Sequence, residues 1–446
     1  MSERPILIRG GAVVTMDAAR TVHERADVLL EDGRVAAIGP RVKPRAFAHV
    51  IEAAGAVVLP GLVQTHVHLC QALFRGMADE LPLLEWLRTR IWPLEGAHDA
   101  RSMGASARLG LAELLRGGTT TILDLGSVHH QDAVFRAMRA SGIRGVSGKA
   151  MMDAGQGVPK GLRESRTASL RESLALAERW DGAADGRLGY AFGPRFILSC
   201  SEKLLRQVAT EAAKRGLRIH SHVAEHPGEK REVRAALGMD DVDALAEYGL
   251  AGPHVVLAHG VQLTKAQMKR VARAGTRIVH CPSANLKLAS GIADVVGMRD
   301  AGIVVGLGAD GAPCNNRLDG WTELRQAALL AKVVRRDAAA LAPMDALAMA
   351  TIDGARVLGL EETIGSLEVG KKADAIVVRT DGLHALPGGD PVTRLVYACT
   401  AADVRDVVVG GRWVVRGGRL DSLDEDRVKR IARREARKVL KRAGLR

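Results

Sequence analysis

Short apolar runs recur through the middle of the chain, and stretches of helical spacing separate them. The runs fall at 56–68, 119–125, 143–147, 187–192, 217–222, 255–259, 277–280 and 303–310, eight in all. Most are apolar without alternation, which is the pattern of strands covered on both faces. Between them, residues 105–116 place Leu109, Ala112 and Leu115 on one helical face and stop at Gly117-Gly118. Residues 202–215 do the same with Leu204, Leu205, Val208 and Ala212, after a capping-box pattern Ser199-x-x-Glu202 and before Gly216. Residues 266–274 and 319–333 are patterned similarly. Eight strand-plus-helix units over 59–363 predict an α/β fold, a (β/α)8 TIM barrel. An open doubly wound sheet is the alternative, but no glycine-rich phosphate fingerprint follows the first run.

The two ends are patterned differently. Strand-like segments at 6–9, 12–15, 26–30 and 34–38 precede the barrel, and others at 373–378, 404–409 and 412–415 follow it. Residues 1–58 and 364–420 are therefore expected to form one composite β-sandwich, with 421–446 as a basic C-terminal helix. The 446 residues suffice for such a large domain plus a small one. Mean hydropathy is +0.01 and no 18-residue apolar stretch occurs, so no membrane span is expected. The start lacks a signal-peptide apolar region, and the five cysteines are scattered without a CxxC pair. That predicts reduced thiols and a cytoplasmic location. The formal charge of +13 suggests nucleic acid until its distribution is read: 427–446 carry ten Lys/Arg and one Glu, leaving about +4 for the rest. The tail reads as a packed helix with a solvated basic face, or, alternatively, as a binder of an anionic partner. No nucleic-acid partner is expected.

Candidate chemistry lies where strands end. His66 and His68, one residue apart, share a strand face. Later runs end in His222, His259, His280 and Asp310, and Glu225 follows His222 closely. Barrel active sites occupy the C-terminal ends of the strands. Three imidazoles and one carboxylate suit a single divalent metal, Zn2+ or its competitor Fe2+. The predicted ligands are His66, His68, His222 and Asp310, with an open position for an activated water. Glu225 suits acid/base work and His259 the steadying of a tetrahedral intermediate. His280 is read equally as core packing or a secondary polar contact. The fourth run has no lysine, which disfavours a bridged two-metal site.

The segments PGLVQTHVHL, HSHVAE, LAHG, HCPSANLKLASGI and LGADGAPCNN, in that order, resemble the amidohydrolase superfamily, in particular its deaminases of purines and related heterocycles. The resemblance implies a metal bound by His66, His68, His222 and Asp310, an acid/base Glu225 and a catalytic His259. NLKLASGI, DGAPCNN and 81–95 resemble deaminases of 5′-modified adenosines, which implies Trp86 against the base and Glu95 on ribose hydroxyls. Where those enzymes often place a histidine after Gly-Pro, this chain has Arg195. Residues 193–202, Gln71 and 148–153 instead resemble guanine deaminase, which implies base contacts from Gln71 and Arg195. Triazine hydrolases share the QTHVHL start. Phe196 joins the substrate-side candidates; core packing is the simpler reading of Trp86 and Phe196, and a structural salt bridge that of Arg195. The expected activity is hydrolytic deamination of a 5′-modified adenosine to its inosine analogue, a hydrolase reaction on the C–N bond of a cyclic amidine. Guanine or a triazine-like heterocycle is the runner-up, and a non-catalytic metal-containing scaffold is the rival of another class. The expected partner is a small-molecule substrate, with a dimer or tetramer as the possible assembly.

Overall fold

The computed structural model describes residues 4–44 and 47–445. Its centre is a closed barrel of eight parallel strands: Leu62–His68, Thr119–Leu125, Arg144–Gly148, Leu188–Pro194, Arg218–Val223, Val255–His259, Arg277–His280 and Val305–Leu307. Closure comes from Leu307 pairing with Gln64 of the first strand. Helices cover the outside, so strands such as Thr119–Leu125 and Val255–His259 are buried along their whole length. That explains why they read as continuous apolar runs.

The apolar run 56–68, read as one segment although the expected domain boundary at 58/59 falls inside it, is divided between two sheets. Ala56–Pro60 belongs to the outer sheet, between Ile6–Val14 and Ala375–Arg379. Gly61 makes the crossing possible, since a Cβ there would lie 2.1 Å from side-chain atoms of Thr120. Leu62–His68 then opens the barrel. The two chain ends meet in one continuous nine-stranded sheet, ordered from Arg419–Leu420 through Ala375–Arg379 and Ile6–Val14 to Arg34–Gly39. Two separate short strands were expected at 6–9 and 12–15. They form the single strand Ile6–Val14, whose register against Val22–Glu31 shifts between Ile8 and Gly11.

Helix starts follow their caps. Ala100–Arg116 begins five residues before the expected position because Asp99 and Ser102 cap it reciprocally: the Asp99 carboxylate accepts from Ser102 N (2.7 Å) and Ser102 Oγ from Asp99 N (2.9 Å). The cap of Glu202–Arg215 is Ser201, whose Oγ accepts from Leu204 N at 3.1 Å. Ser199, the expected cap, donates to the Phe196 carbonyl instead. A helical segment not anticipated from the pattern runs from Leu83–Trp86 through a π turn at Leu87–Ile91 to Trp92–Gly96. The C-terminal helix Glu425–Ala443 lies along Ala100–Arg116. Its Ala432 and Val439 pack with Leu73, Phe74 and Leu94. No helix among the described residues is long and apolar enough to cross a membrane.

Candidate active site

The barrel delivers every predicted metal-binding side chain to one place. His66 and His68 alternate inward at the end of the first strand, His222 ends the fifth, and Asp310 follows the eighth. His66 Nε2 lies 3.3 Å and His68 Nε2 3.4 Å from Asp310 Oδ1, and His68 Nε2 lies 3.2 Å from His222 Nε2. Ligand atoms of His66, His222 and His259 lie within 4.8 Å of one another, as do those of His66, His68 and Asp310. Close approach of the eighth strand to the first depends on Gly308, whose Cβ would stand 2.6 Å from the His66 carbonyl oxygen. His259 (φ 79°) and Asp310 (φ 60°) hold left-handed backbone at their strand ends, strain of the kind that persists where surrounding structure enforces it.

Hydrogen bonds at the outer nitrogens decide what the inner ones present. A carbonyl accepts only, so His68 Nδ1 donates to Leu125 O (2.6 Å) and His222 Nδ1 to Arg195 O (2.6 Å). His220 Nδ1 donates to Val256 O (3.0 Å), which leaves its Nε2 to accept from His66 Nδ1 at 2.7 Å. Each neutral ring then turns an Nε2 lone pair inward. Burial holds His66 and His222 in that form, lowering His66 to about 4 and His222 well below the ordinary imidazole value. His66 Nε2 is buried with no hydrogen-bond partner among the described residues. Facing lone pairs at 3.2 Å beside a carboxylate repel one another unless a cation lies between them. The donor set, three imidazole nitrogens and one carboxylate, fits a divalent metal ion.

The acids beside this centre differ in state. Burial raises the Asp310 carboxyl, but His66, His259 and His68 outweigh that and hold it well below the usual carboxylate range. Glu225 goes the other way: burial first, then the negative Asp310, push it well above. Glu225 Oε2 lies 3.5 Å from His259 Nε2, and His259 Nδ1 donates to Asn285 Oδ1 at 2.9 Å. One carboxyl is thus poised ionised and its neighbour protonated, in a common cavity.

His68, His222, Glu225, His259 and Asp310 line that cavity with Gln71, Leu83, Trp86, Leu87, Arg195, Phe196 and Glu229. Among the predicted substrate-side residues, Gln71, Trp86, Arg195 and Phe196 therefore face it. Trp86 Nε1 and Gln71 Oε1 are buried without hydrogen-bond partners among the described residues. Glu95 is not among the lining residues. Its carboxylate is 3% exposed and ion-paired to Arg195, with Nη2 to Oε1 at 3.1 Å, while Gln71 Nε2 donates to Oε1 at 2.8 Å. His280 stays outside the cluster, buried, with burial and His259 lowering it to about 3. Lys149, in the 148–153 segment, is fully buried and donates to Glu164 at 2.7 and 2.5 Å.

Four residues escaped the sequence reading. His220 supports His66, and the i, i+2 pair His220/His222 was its available signal. Asp124, at the second strand's end, accepts from Leu69 N (2.8 Å) and Ser147 Oγ (2.5 Å), fixing the backbone just after His68. Asn285 orients His259. Glu229 lines the cavity and accepts from Glu225 N at 3.2 Å, and burial, with Asp241 and Glu225 nearby, raises its carboxyl well above the usual range.

Comparison with known proteins agrees with this geometry. Residues 57–414 match the model of the amidohydrolase family. A 5′-deoxyadenosine deaminase of Methanothermobacter thermautotrophicus is 39% identical, over 97% of this chain and 98% of its own length. A 5-methylthioadenosine/S-adenosylhomocysteine deaminase of Desulforudis audaxviator is 38% identical, over 98% and 99%. Among solved structures, a zinc-bound adenosine deaminase from Xanthomonas campestris superposes with a TM-score of 0.92 at 31% identity, covering 98% of each chain. The chain belongs to the amidohydrolase family.

Proposed function

We propose that this protein is a hydrolytic deaminase of a 5′-modified adenosine, such as 5′-deoxyadenosine or 5′-methylthioadenosine, releasing ammonia and the inosine analogue. The observation that carries the reading is the pairing of a protonated Glu225 with an ionised Asp310 across a metal-binding cluster, in a cavity walled by Trp86 and Phe196. Three imidazoles and one carboxylate favour Zn2+, and the Xanthomonas neighbour carries zinc. His66, His68, His222 and Asp310 would hold it. When bound, the ion supplies Lewis acidity that makes water a competent nucleophile near neutral pH.

The chain's own residues account for the proton movements. Asp310 accepts a proton from the attacking water. Glu225 donates its proton to the ring nitrogen beside the amino-bearing carbon, so that carbon loses its aromatic resistance to attack. His259, held by Asn285, hydrogen-bonds the oxygen as the carbon becomes tetrahedral. Asp310 passes the water's proton to the exocyclic nitrogen, the C–N bond breaks and ammonia departs, and as the ring carbonyl forms the remaining hydroxyl proton returns to Glu225. Trp86, Phe196, Gln71 and Arg195 are the proposed substrate contacts, and Glu95 acts through Arg195 and Gln71 by fixing their positions. Five free, buried cysteines support a reducing cytoplasmic location.

Guanine fits less well, because the Arg195 guanidinium that would read its carbonyl is engaged by Glu95. The test is ammonia release and ultraviolet change with 5′-deoxyadenosine, 5′-methylthioadenosine, S-adenosylhomocysteine, adenosine and guanine. Turnover of the adenosine derivatives that is lost on chelation and restored by Zn2+ is the expected result. Turnover of guanine alone would overturn the substrate, and absence of ammonia from all five would overturn the enzyme reading.

A further inference from the structure

The C-terminal helix Glu425–Ala443 forms one wall of a furrow far removed in composition from the catalytic cavity. The helices Ala100–Arg116 and Gln131–Ser141 supply the rest. The furrow encloses about 530 Å3, within the range of small-molecule sites, about 300–1,000 Å3. Five arginines line it, namely Arg101, Arg108, Arg136, Arg427 and Arg434, against a single carboxylate, Asp132.

The arrangement follows from helical spacing. Arg427 and Arg434 are seven residues apart on one helix, and Arg101 and Arg108 are seven apart on the other. Seven residues make nearly two turns, so each pair shares a face, about 10 Å apart along its axis. The small residues Ala100, Gly104 and Ala133 keep the floor open.

Two internal carboxylates, Asp132 and Glu435, neutralise only part of this charge. Asp132 already serves Arg136 (2.6 Å) and Arg179 (3.0 Å). Glu435, fully buried, holds Arg101 (3.2 Å), Arg434 (2.9 Å) and Lys438 (3.5 Å), and its Oε2 has no hydrogen-bond partner among the described residues. It anchors two of the furrow's guanidiniums from beneath. Arg108 donates to the neutral carbonyl of Gly104, and Arg427 has no ion-pair partner among the described residues.

We infer that this furrow binds a linear phosphate polyanion, the triphosphate of a nucleotide or an inorganic chain of the same length. Guanidinium forks match phosphate oxygens two at a time. Forks repeated about 10 Å apart on facing walls suit charge spread along a chain rather than a single phosphate. A furrow of this volume, walled by three helices, accommodates a few phosphates and excludes a duplex.

The test is calorimetric titration of the full, metal-loaded chain with inorganic tripolyphosphate, ATP and orthophosphate. Salt is set at about 0.15 M, where exposed charges more than about 8 Å apart are screened. Metal content is measured afterwards. One site per chain is expected, with tripolyphosphate and ATP both bound and orthophosphate weaker by about tenfold or more. If ATP alone binds, a nucleotide is the natural source; if tripolyphosphate binds equally, the chain of phosphates suffices. The double variant R108S/R427S, at two exposed furrow positions that hold no carboxylate, should lose about tenfold per guanidinium, with thermal melting and deaminase kcat/KM unchanged. R427E alone provides a second variant at an exposed position. R430S/R437S removes the same charge from residues of the same helix that do not line the furrow, and should bind as the parent does. Equal loss in that control, no binding of either triphosphate at millimolar concentration, or tighter binding of a single-stranded RNA oligonucleotide than of ATP would overturn the inference.

Discussion

Replacing His220 with phenylalanine isolates the outer support of the metal cluster. A flat aromatic ring is kept, though a larger one, while the acceptor for His66 Nδ1, 2.7 Å away, and the donor to Val256 O disappear. His66 is completely buried, so water does not replace the lost partner. An unsatisfied buried donor costs about 1–3 kcal/mol. His66 also loses the bond that fixes its proton on Nδ1, so the form carrying a proton on Nε2 competes, and that form does not ligate. Removal of outer partners of this kind lowers metal affinity by about 10–100-fold, or about 1.4–2.8 kcal/mol, which agrees with the hydrogen-bond figure. The assay is competition for Zn2+ against a chromophoric chelator, alongside turnover at saturating metal. His220→Gln is the companion, because its amide can donate to Val256 O and accept from His66; it should recover most of the affinity. A change below about threefold in His220→Phe, with the fold intact by circular dichroism, would refute the assignment of His66 Nε2 as a ligand held by this relay.

Three further outcomes are expected. Glu225→Gln should retain about one metal ion per chain and lose about 10²–10⁴ in kcat, measured by ammonia release; full activity would remove Glu225 from the chemistry. Glu95→Gln leaves the buried Arg195 guanidinium without its counter-charge, so the urea midpoint should fall by the equivalent of about 3–5 kcal/mol; an unchanged midpoint would show the pair to be dispensable. His98 is buried, its pKa lowered to about 4 from 6.5 chiefly by burial, so the folded state prefers the neutral ring. Its contribution is present above pH 6.5 and is lost as pH falls toward 4, at most about 3.4 kcal/mol for a shift of this size. Urea unfolding of metal-free parent and His98→Gln at pH 7 and pH 4.5 should therefore show the parent losing more stability on acidification; parallel losses would contradict this.

What could be read from the chain, and what could not, divides by the range of the interaction. Alternation at His66 and His68 is local, and so are the strand ends carrying His222, His259 and Asp310, so the chain displays most of the centre before it is folded. The Glu95–Arg195 pair is not local: its partners are 100 residues apart, and neither neighbourhood records the other. The resemblance implies Glu95 on ribose hydroxyls, whereas the fold brings the Arg195 guanidinium to it. The division of 56–63 between two sheets was hidden for a related reason. Both halves are apolar, and only the crowding of Thr120 against Gly61 separates them. The π turn at Leu87–Ile91 leaves no periodic trace, because a five-residue irregularity shifts the apolar spacing on either side of it.

Arg195 has two allegiances, its carbonyl to His222 and its guanidinium to Glu95. Selection acting on this cavity-lining residue also tugs on the backbone that aims His222, a proposed metal ligand. Drift toward new nucleosides at this position is thereby tethered to retention of the ion, and variants with altered preference should arise first at Trp86 or Phe196, whose replacement leaves that tether uncut.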